Sequence, residues 1–329
     1  MNRRPFGGSG VNIGEVGLGC WQFGGDWGSV SEDDALQTLR AACETGVTFY
    51  DTADVYGGGR SERAIGRWLA EDKPEDVFIA TKLGRRGDPG GPENFTLEAM
   101  RTHTEDSLQN LGVEALDLTQ LHCVPTETLR SGEIFEHLRT LQAEGKIRRW
   151  GASIESMEEA HICLAQDGLA SLQIIFNLFR QKPIDDLFAD AKARGVGIIV
   201  RLPLASGLLA GKYKADTQFA PQDHRTYNRD GEAFNVGETF AGLPFEKGVA
   251  LADALKPLVP SGLTLAEMAL RWCLDFGAVS VLIPGAKNPD QAHGNSRVSD
   301  LPPLSPDLHK TLRQFYDDQG IADAIRGPY

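Results

Sequence analysis

The chain has no apolar run approaching the roughly 18 residues that a membrane-spanning helix needs, and Met1-Asn2-Arg3-Arg4-Pro5 is not followed by the apolar stretch of a signal peptide. A cytoplasmic location without membrane contact is the expectation. Cysteine is sparse and odd in number: Cys20, Cys43, Cys123, Cys163 and Cys273 include no pair at the two-residue spacing of a zinc or redox motif, so reduced thiols in small apolar sites are expected. Positive charge is in the minority, with 33 Lys and Arg against 46 Asp and Glu, a net charge of −13. Such a surface repels phosphate backbones, and basic pairs such as Arg85-Arg86 and Arg148-Arg149 are too short to reverse that, so no nucleic-acid partner is expected. Low-complexity linkers and repeats of 20–50 residues are also missing. A composition of 41% hydrophobic and 24% charged residues over 329 positions leaves an ordinary globular chain able to bury a large core.

What is present is an alternation. Short Val-, Ile- and Phe-rich runs begin near Val16, Thr48, Val77, Leu116, Arg148, Leu172, Gly197 and Val279, and segments of helical period separate them. Helices are expected over Ser31 to Thr45, Ser61 to Glu71, Thr96 to Asn110, Ile134 to Glu144, Ser156 to Asp167, Ile184 to Arg194, Leu265 to Phe276 and Ser305 to Asp318, several opening with a Ser or Thr cap. Eight strand-then-helix units in one chain predict an α/β fold of the (β/α)8 TIM-barrel type, a single domain over residues 1–329, rather than a doubly wound sheet. Two features frame it. Arg4-Pro5-Phe6 and Val11-Asn12-Ile13 flank Gly7-Gly8-Ser9-Gly10, an N-terminal β-hairpin placed to close the barrel bottom, and a long loop after the seventh strand, residues 211–246, has Phe219, Tyr227, Phe234, Phe240 and Phe245 spread through it and the length of a lid-like insertion.

Barrel active sites lie at the C-terminal ends of the strands. Asp51 ends the second strand, Tyr56 follows in the next loop, Lys82 ends the third and His122 the fourth. A Tyr phenol, with an ordinary pKa near ~10, is a poor acid-base group at neutral pH; a neighbouring ammonium favours the phenolate, and Lys82 is placed to supply it. Asp51 would compensate that ammonium, and His122 would polarise a substrate oxygen or relay a proton to Tyr56. Asp51 and His122 with Glu62 lack the spacing of a ligand set, so no metal is expected.

These residues also carry a resemblance. Asp51-Thr52-Ala53-Asp54-Val55-Tyr56-Gly57 followed by Ser61-Glu62, then Ala80-Thr81-Lys82, then Asp117-Leu118 and Leu121-His122, resembles the aldo-keto reductase family, and the similarity runs from Gly17-Leu18-Gly19 to Ile283-Pro284-Gly285-Ala286. The resemblance is to the bacterial, sugar- and aldehyde-handling branches. It implies hydride transfer between a nicotinamide cofactor and a carbonyl or alcohol carbon of a small molecule, with Asp51, Tyr56, Lys82 and His122 as the catalytic set and Tyr56 as general acid in reduction. It implies cofactor positions as well. Ser153 and Gln173 would hold the carboxamide, with Trp21 in the first strand-to-helix loop lining the pocket. Pro203, Leu204, Ser206, Gly207, Leu209 and Lys212 would form the pyrophosphate loop, where backbone N–H groups and the Ser hydroxyl face the phosphates. Ile283, Gly285, Lys287, Gln291 and Asn295 would meet the adenosine end, beside a helix opened by Pro289.

Three positions depart from the family pattern. Ile154 stands where an Asn usually follows the carboxamide-holding Ser, so Gln173 or a water must replace its contact. Arg201 stands where an aromatic ring usually stacks on the nicotinamide; a guanidinium plane can stack there or hydrogen-bond a substrate or the cofactor amide. Gly285 and Gln291 fall where several members clamp a 2′-phosphate, leaving Lys287 as the cation for NADP, with NAD as the other candidate. Two further functions stay open at this level: a nicotinamide-binding redox sensor or regulatory subunit with little turnover, and a barrel isomerase or lyase without nucleotide. Oligomeric state and natural substrate are not legible.

Overall fold

The computed structural model describes residues 1–88 and 90–329. Two short antiparallel strands, β1 (Arg3–Pro5) and β2 (Asn12–Gly14), precede eight parallel ones: β3 (Leu18–Gly19), β4 (Phe49–Asp51), β5 (Phe78–Leu83), β6 (Leu118–His122), β7 (Trp150–Ser153), β8 (Leu169–Ile175), β9 (Gly197–Arg201) and β10 (Val279–Leu282). Each pairs with the next in sequence order. The ring closes where the Gly17 N–H donates to Leu282 O, the Leu282 N–H to Glu15 O and the Gly19 N–H to Pro284 O. This is a (β/α)8 barrel with the N-terminal hairpin expected.

The period of two along each strand divides the interior. Phe49, Phe78, Ala80, Leu118, Ile199, Val281 and Ile283 form one apolar cluster with Phe6 and Ile13 of the hairpin, and the alternate residues Tyr50, Ile79, Leu121, Ile198, Val200 and Leu282 pack into the outer, helix-covered core. The Phe6 ring lies 5.8 Å from Phe49 and 5.2 Å from Phe78, plugging the N-terminal end of the barrel. Continuing the inward phase toward the other end reaches Asp51 on β4, Lys82 on β5, Gln120 and His122 on β6, Ser153 on β7, Gln173 on β8 and Arg201 on β9. The barrel lining therefore changes from apolar to polar along its axis.

Most of the expected helices form. Ser31, Thr96, Ser156, Thr264 and Ser305 cap helices Glu32–Glu44, Leu97–Leu111, Met157–Leu164, Leu265–Leu274 and Pro306–Asp318. Two expectations are corrected. Ser61 does not cap: helix Arg60–Asp72 starts at Gly59, whose φ of 81° needs no Cβ, and the Ser61 hydroxyl donates to Cys20 O at 2.9 Å while accepting from Thr52 at 2.8 Å, joining the ends of two strands. The single helix over Ile184 to Arg194 is two, Pro183–Asp186 and Phe188–Ala193, because Leu187 leaves helical geometry to bury its side chain.

Residues 211–246 are folded rather than structureless. They contain helix His224–Tyr227 and turns at Val236–Glu238 and Phe240–Gly242, and the following helix starts at Phe245. Tyr213, Phe219, Phe240 and Phe245 pack ring against ring, and the Arg225 guanidinium lies 4.3 Å from the Phe219 ring. The Arg326 guanidinium donates to Gly242 O and pairs with Asp230, tying the segment to the C-terminal residues.

Candidate active site

Lys82 is 1% exposed and its three donors are all used: Asp51 Oδ1 at 2.5 Å, the Thr52 carbonyl at 2.8 Å and the Tyr56 hydroxyl at 3.1 Å. Asp51 Oδ2 accepts from Gln173 at 2.7 Å and Gln120 at 3.1 Å, and Gln173 also donates to Gln120 Oε1. The carboxylate is thus surrounded by donors, as a buried ion pair requires. The His122 ring stands edge-on to Tyr56 at 5.8 Å, and Trp21 stacks on the other side of Tyr56 at the same distance. Register explains the assembly, since β4 aligns Asp51 with Ala80, two residues short of Lys82 on β5, and Lys82 sits opposite Gln120 on β6.

Burial is the largest influence on Tyr56, pushing its phenol up to about 12 although the Lys82 ammonium pulls it down. The expected shift toward phenolate is therefore reversed: Lys82 offsets part of the desolvation and does not exceed it, and Tyr56 remains a proton donor at neutral pH. Lys82 stays above its ordinary value because Asp51 and Tyr56 outweigh the burial that opposes its charge. Burial first, then Arg85 and Lys82, hold His122 well below the usual imidazole range, so it is neutral. His122 Nδ1 is buried without a partner among the described residues, which leaves Nε2 for a bound molecule.

Asp51, Tyr56 and His122 open on a cavity of about 560 Å³. A more open groove of about 860 Å³ at the opposite end is lined by Arg4, Arg271, Asp275 and His309, whose polar groups pair with neighbours within the fold. It is remote from the acid-base groups. Trp21, Ser153, Gln173 and Arg201 line the first cavity, as do Pro203, Leu204, Ser206, Gly207 and Lys212 from one side and Ile283, Gly285, Lys287, Gln291 and Asn295 from the other. Leu209 does not: it is fully buried in the outer core. Gln173 spends its amide nitrogen on Asp51 and Gln120, so only its Oε1 remains to replace the Asn missing at Ile154. Ser206 uses its hydroxyl otherwise than expected, donating to Glu238 O at 3.2 Å and accepting from Phe240 N at 3.1 Å. Anion contacts in that loop then fall to backbone N–H groups.

The loop suits this. Ala205, Ser206 and Gly207 all have positive φ, and a Cβ at Gly207 would lie 2.3 Å from the Tyr213 hydroxyl, so a glycine is required. Lys287 donates through Nζ to the Trp27 carbonyl, bridging the two rims of the cleft. Trp27, which like Trp21 lies in the first strand-to-helix loop where pocket-lining aromatics are expected, also lines it, whereas Tyr213, Arg225 and Glu238 complete the lining without having been marked by the sequence. All three lie in the 211–246 segment, where nothing in spacing reveals which side chains turn inward. Lys212 and Lys287 place positive charge at one cleft of a protein whose net charge is −13, while Arg225 beside them is neutralised by Asp223 at 2.5 Å. Left-handed backbone, a glycine at a crowded positive-φ position and the two lysines form a cradle that fits a dinucleotide phosphate.

Residues 15–317 match the model of the aldo/keto reductase family. The chain is 28% identical over 296 residues to the aldo-keto reductase YhdN of Bacillus subtilis, covering 88% of this chain and 86% of that one. It is also 28% identical to a probable voltage-gated potassium channel subunit beta of rice, covering 92% and 93%. Among solved structures, the glycerol dehydrogenase AKR11B4 from Gluconobacter oxydans aligns with a TM-score of 0.77 at 31% identity over 97% of this chain and 95% of that one. With its barrel closed, its hairpin plug in place and its match running from just before the first barrel strand into helix Pro306–Asp318, the chain belongs to the aldo/keto reductase family.

Proposed function

We propose that this protein is an NADP-dependent oxidoreductase that interconverts a small-molecule carbonyl, an aldehyde, ketone or aldose, with its alcohol, Tyr56 acting as general acid in reduction and base in oxidation. The observation that carries the reading is the Tyr56 hydroxyl at 3.1 Å from a Lys82 ammonium that is itself locked to Asp51, on the wall of a cavity with a phosphate cradle at its far end. A bound nicotinamide would supply the hydride acceptor or donor. Gln173 Oε1 and Ser153 are suited to its carboxamide, the 203–207 backbone to its pyrophosphate, and Lys287 to a 2′-phosphate, which favours NADP over NAD. His122, neutral and with Nε2 free, orients the substrate oxygen toward the Tyr56 hydroxyl, which gives up its proton as charge develops there. Lys82 stabilises the phenolate left behind, and Asp51 keeps Lys82 in place. The 211–246 segment covers the pocket as a packed lid.

The test is Tyr56→Phe, assayed for reduction of a carbonyl panel with NADPH and for nucleotide binding by fluorescence quenching. Turnover is expected to fall by about 10²–10⁴-fold with the dissociation constant for NADPH unchanged. Undiminished turnover in that variant removes the acid role. Saturable nucleotide binding without turnover of any carbonyl by the wild type instead supports a regulatory subunit, as the name of the rice relative suggests.

A further inference from the structure

Beside His122 lies a charged cluster that the reaction does not use. Glu238, from the 211–246 segment, is 5% exposed and lines the cavity. Its Oε1 takes every contact recorded for the carboxylate: the Arg85 guanidinium at 3.3 Å, Arg201 at 3.5 Å and the Cys123 thiol at 3.6 Å. Burial opposes the charge, but Arg201 and Arg85 outweigh it and hold Glu238 below the usual carboxylate range. Oε2 has no partner among the described residues and is not sealed off. Arg201, 9% exposed, spends its Nη2 on the Ile154 carbonyl at 3.3 Å and buries its Nε without a partner among the described residues, so Nη1, 3.5 Å from Glu238 Oε1, is the donor left for a ligand. Cys123 and Glu155 come close enough to Glu238 to suggest a cation site, with candidate ligand atoms within 4.8 Å of one another, but two guanidiniums already occupy the shared oxygen and repel a cation.

We propose that Glu238 and Arg201 form a hydroxyl-recognition pair that selects substrates carrying a hydroxyl next to the reacting carbonyl. The inference rests on the oxidoreductase reading above and narrows its substrate. A hydroxyl needs one acceptor and one donor, and the pair offers an ionised carboxylate oxygen beside a guanidinium. An alkyl group in that place leaves a buried charge pair without the solvent it displaced, which is costly. A substrate carboxylate meets Glu238 as a like charge, and a substrate ammonium meets Arg201 and Arg85. Only a neutral polar group satisfies both sides.

DL-glyceraldehyde and propanal share a three-carbon chain and differ in two hydroxyls, so their kcat/KM ratio reads the pair directly. The wild-type ratio is expected to exceed about 100, and Glu238→Gln, which keeps the shape and removes the charge, is expected to lower it by at least about tenfold. A merely structural role for Glu238 depresses both substrates and leaves the ratio alone, and that result overturns the proposal. So does a wild type that takes both aldehydes equally, which needs no variant to fold. In parallel, calorimetric titration of the NADPH-saturated protein compares glycerol with propan-1-ol. Preferential glycerol binding that disappears in Glu238→Gln, without turnover of either aldehyde, upholds the recognition pair and refutes the oxidoreductase reading alone.

Discussion

Replacing Lys82 with Met tests the heart of the site as a physical object, independent of substrate. Met keeps the length of the stem and removes the ammonium, leaving Asp51 buried without its countercharge. Removing one partner of a buried ion pair costs about 3–5 kcal/mol, because the remaining charge has lost the solvation it surrendered on folding. Asp51 is not wholly abandoned, since Gln173 and Gln120 still donate to Oδ2 at 2.7 and 3.1 Å. The lower end, about 3 kcal/mol, is therefore expected, together with a melting temperature lowered by roughly 5 °C. Urea unfolding of the wild type, Lys82→Met, Asp51→Asn and the double variant completes a cycle. Asp51→Asn added to Lys82→Met is expected to recover about 1–3 kcal/mol, the signature of direct coupling. Activity should follow a different rule, with Asp51→Asn/Lys82→Met no more active than Lys82→Met, because stability returns with the charge balance and the ammonium beside Tyr56 does not. A loss below about 1 kcal/mol in Lys82→Met, or a double variant no more stable than the single, would refute the claim that this pair is held together electrostatically.

Two further outcomes follow from burial. Tyr56, held up at about 12, keeps its proton throughout the ordinary range, and the acid role needs that proton; the rate of carbonyl reduction should then show no alkaline decline below about pH 10, and a limb centred near 8 would contradict the assignment. Asp54 has one oxygen without a partner among the described residues, and burial above all raises its carboxyl to about 7 although Arg86 pulls the other way. Because this folded value exceeds the unfolded one, its contribution to stability is full at low pH and is lost as pH rises toward 7; Asp54→Asn should flatten stability between about pH 4 and 8, and should be the more stable protein at pH 8 by at most about 4 kcal/mol. Denaturation midpoints in buffers across that range decide it, and equal slopes for the two proteins reject it.

The strand ends were legible because two regularities coincide there. Each of Asp51, Lys82 and His122 follows an apolar run that has no use for it, and the inward phase set by Phe49, Phe78 and Leu118 carries each of them to the barrel axis. Ser153, Gln173 and Arg201 follow by the same count along β7, β8 and β9. The remainder depended on contacts that no spacing encodes. The Ser206 hydroxyl reads as a phosphate ligand until Glu238 and Phe240, more than thirty residues away, claim it. Leu209 shares a motif with cavity residues but turns into the helix core. For Tyr56 the sign of the shift depended on a competition between Lys82 and desolvation, and only the depth of burial decides such a contest. Glu238 and Arg225 lie in a segment of irregular backbone, where neither a period of two nor one of 3.6 says which way a side chain points.

This division has a physical basis. Proton transfer demands groups held to fractions of an ångström, and the hydrogen-bonded strands provide that for Asp51, Lys82 and His122. Recognition of the rest of a substrate tolerates looser support, and of the proposed pair only Arg201 ends a strand, while Glu238 comes from a loop that another sequence could replace without disturbing the barrel. The two parts are nevertheless joined at one side chain. The Ser206 hydroxyl grips Glu238 O and Phe240 N, so the backbone that would meet a pyrophosphate and the carboxylate that would meet a substrate hydroxyl share a single anchor. Any shift of the 203–207 loop would be passed to Glu238 through that anchor and to Arg201, the last residue of β9, through the chain itself, so both members of the proposed recognition pair would respond while β4 and β5 hold the Asp51–Lys82 pair.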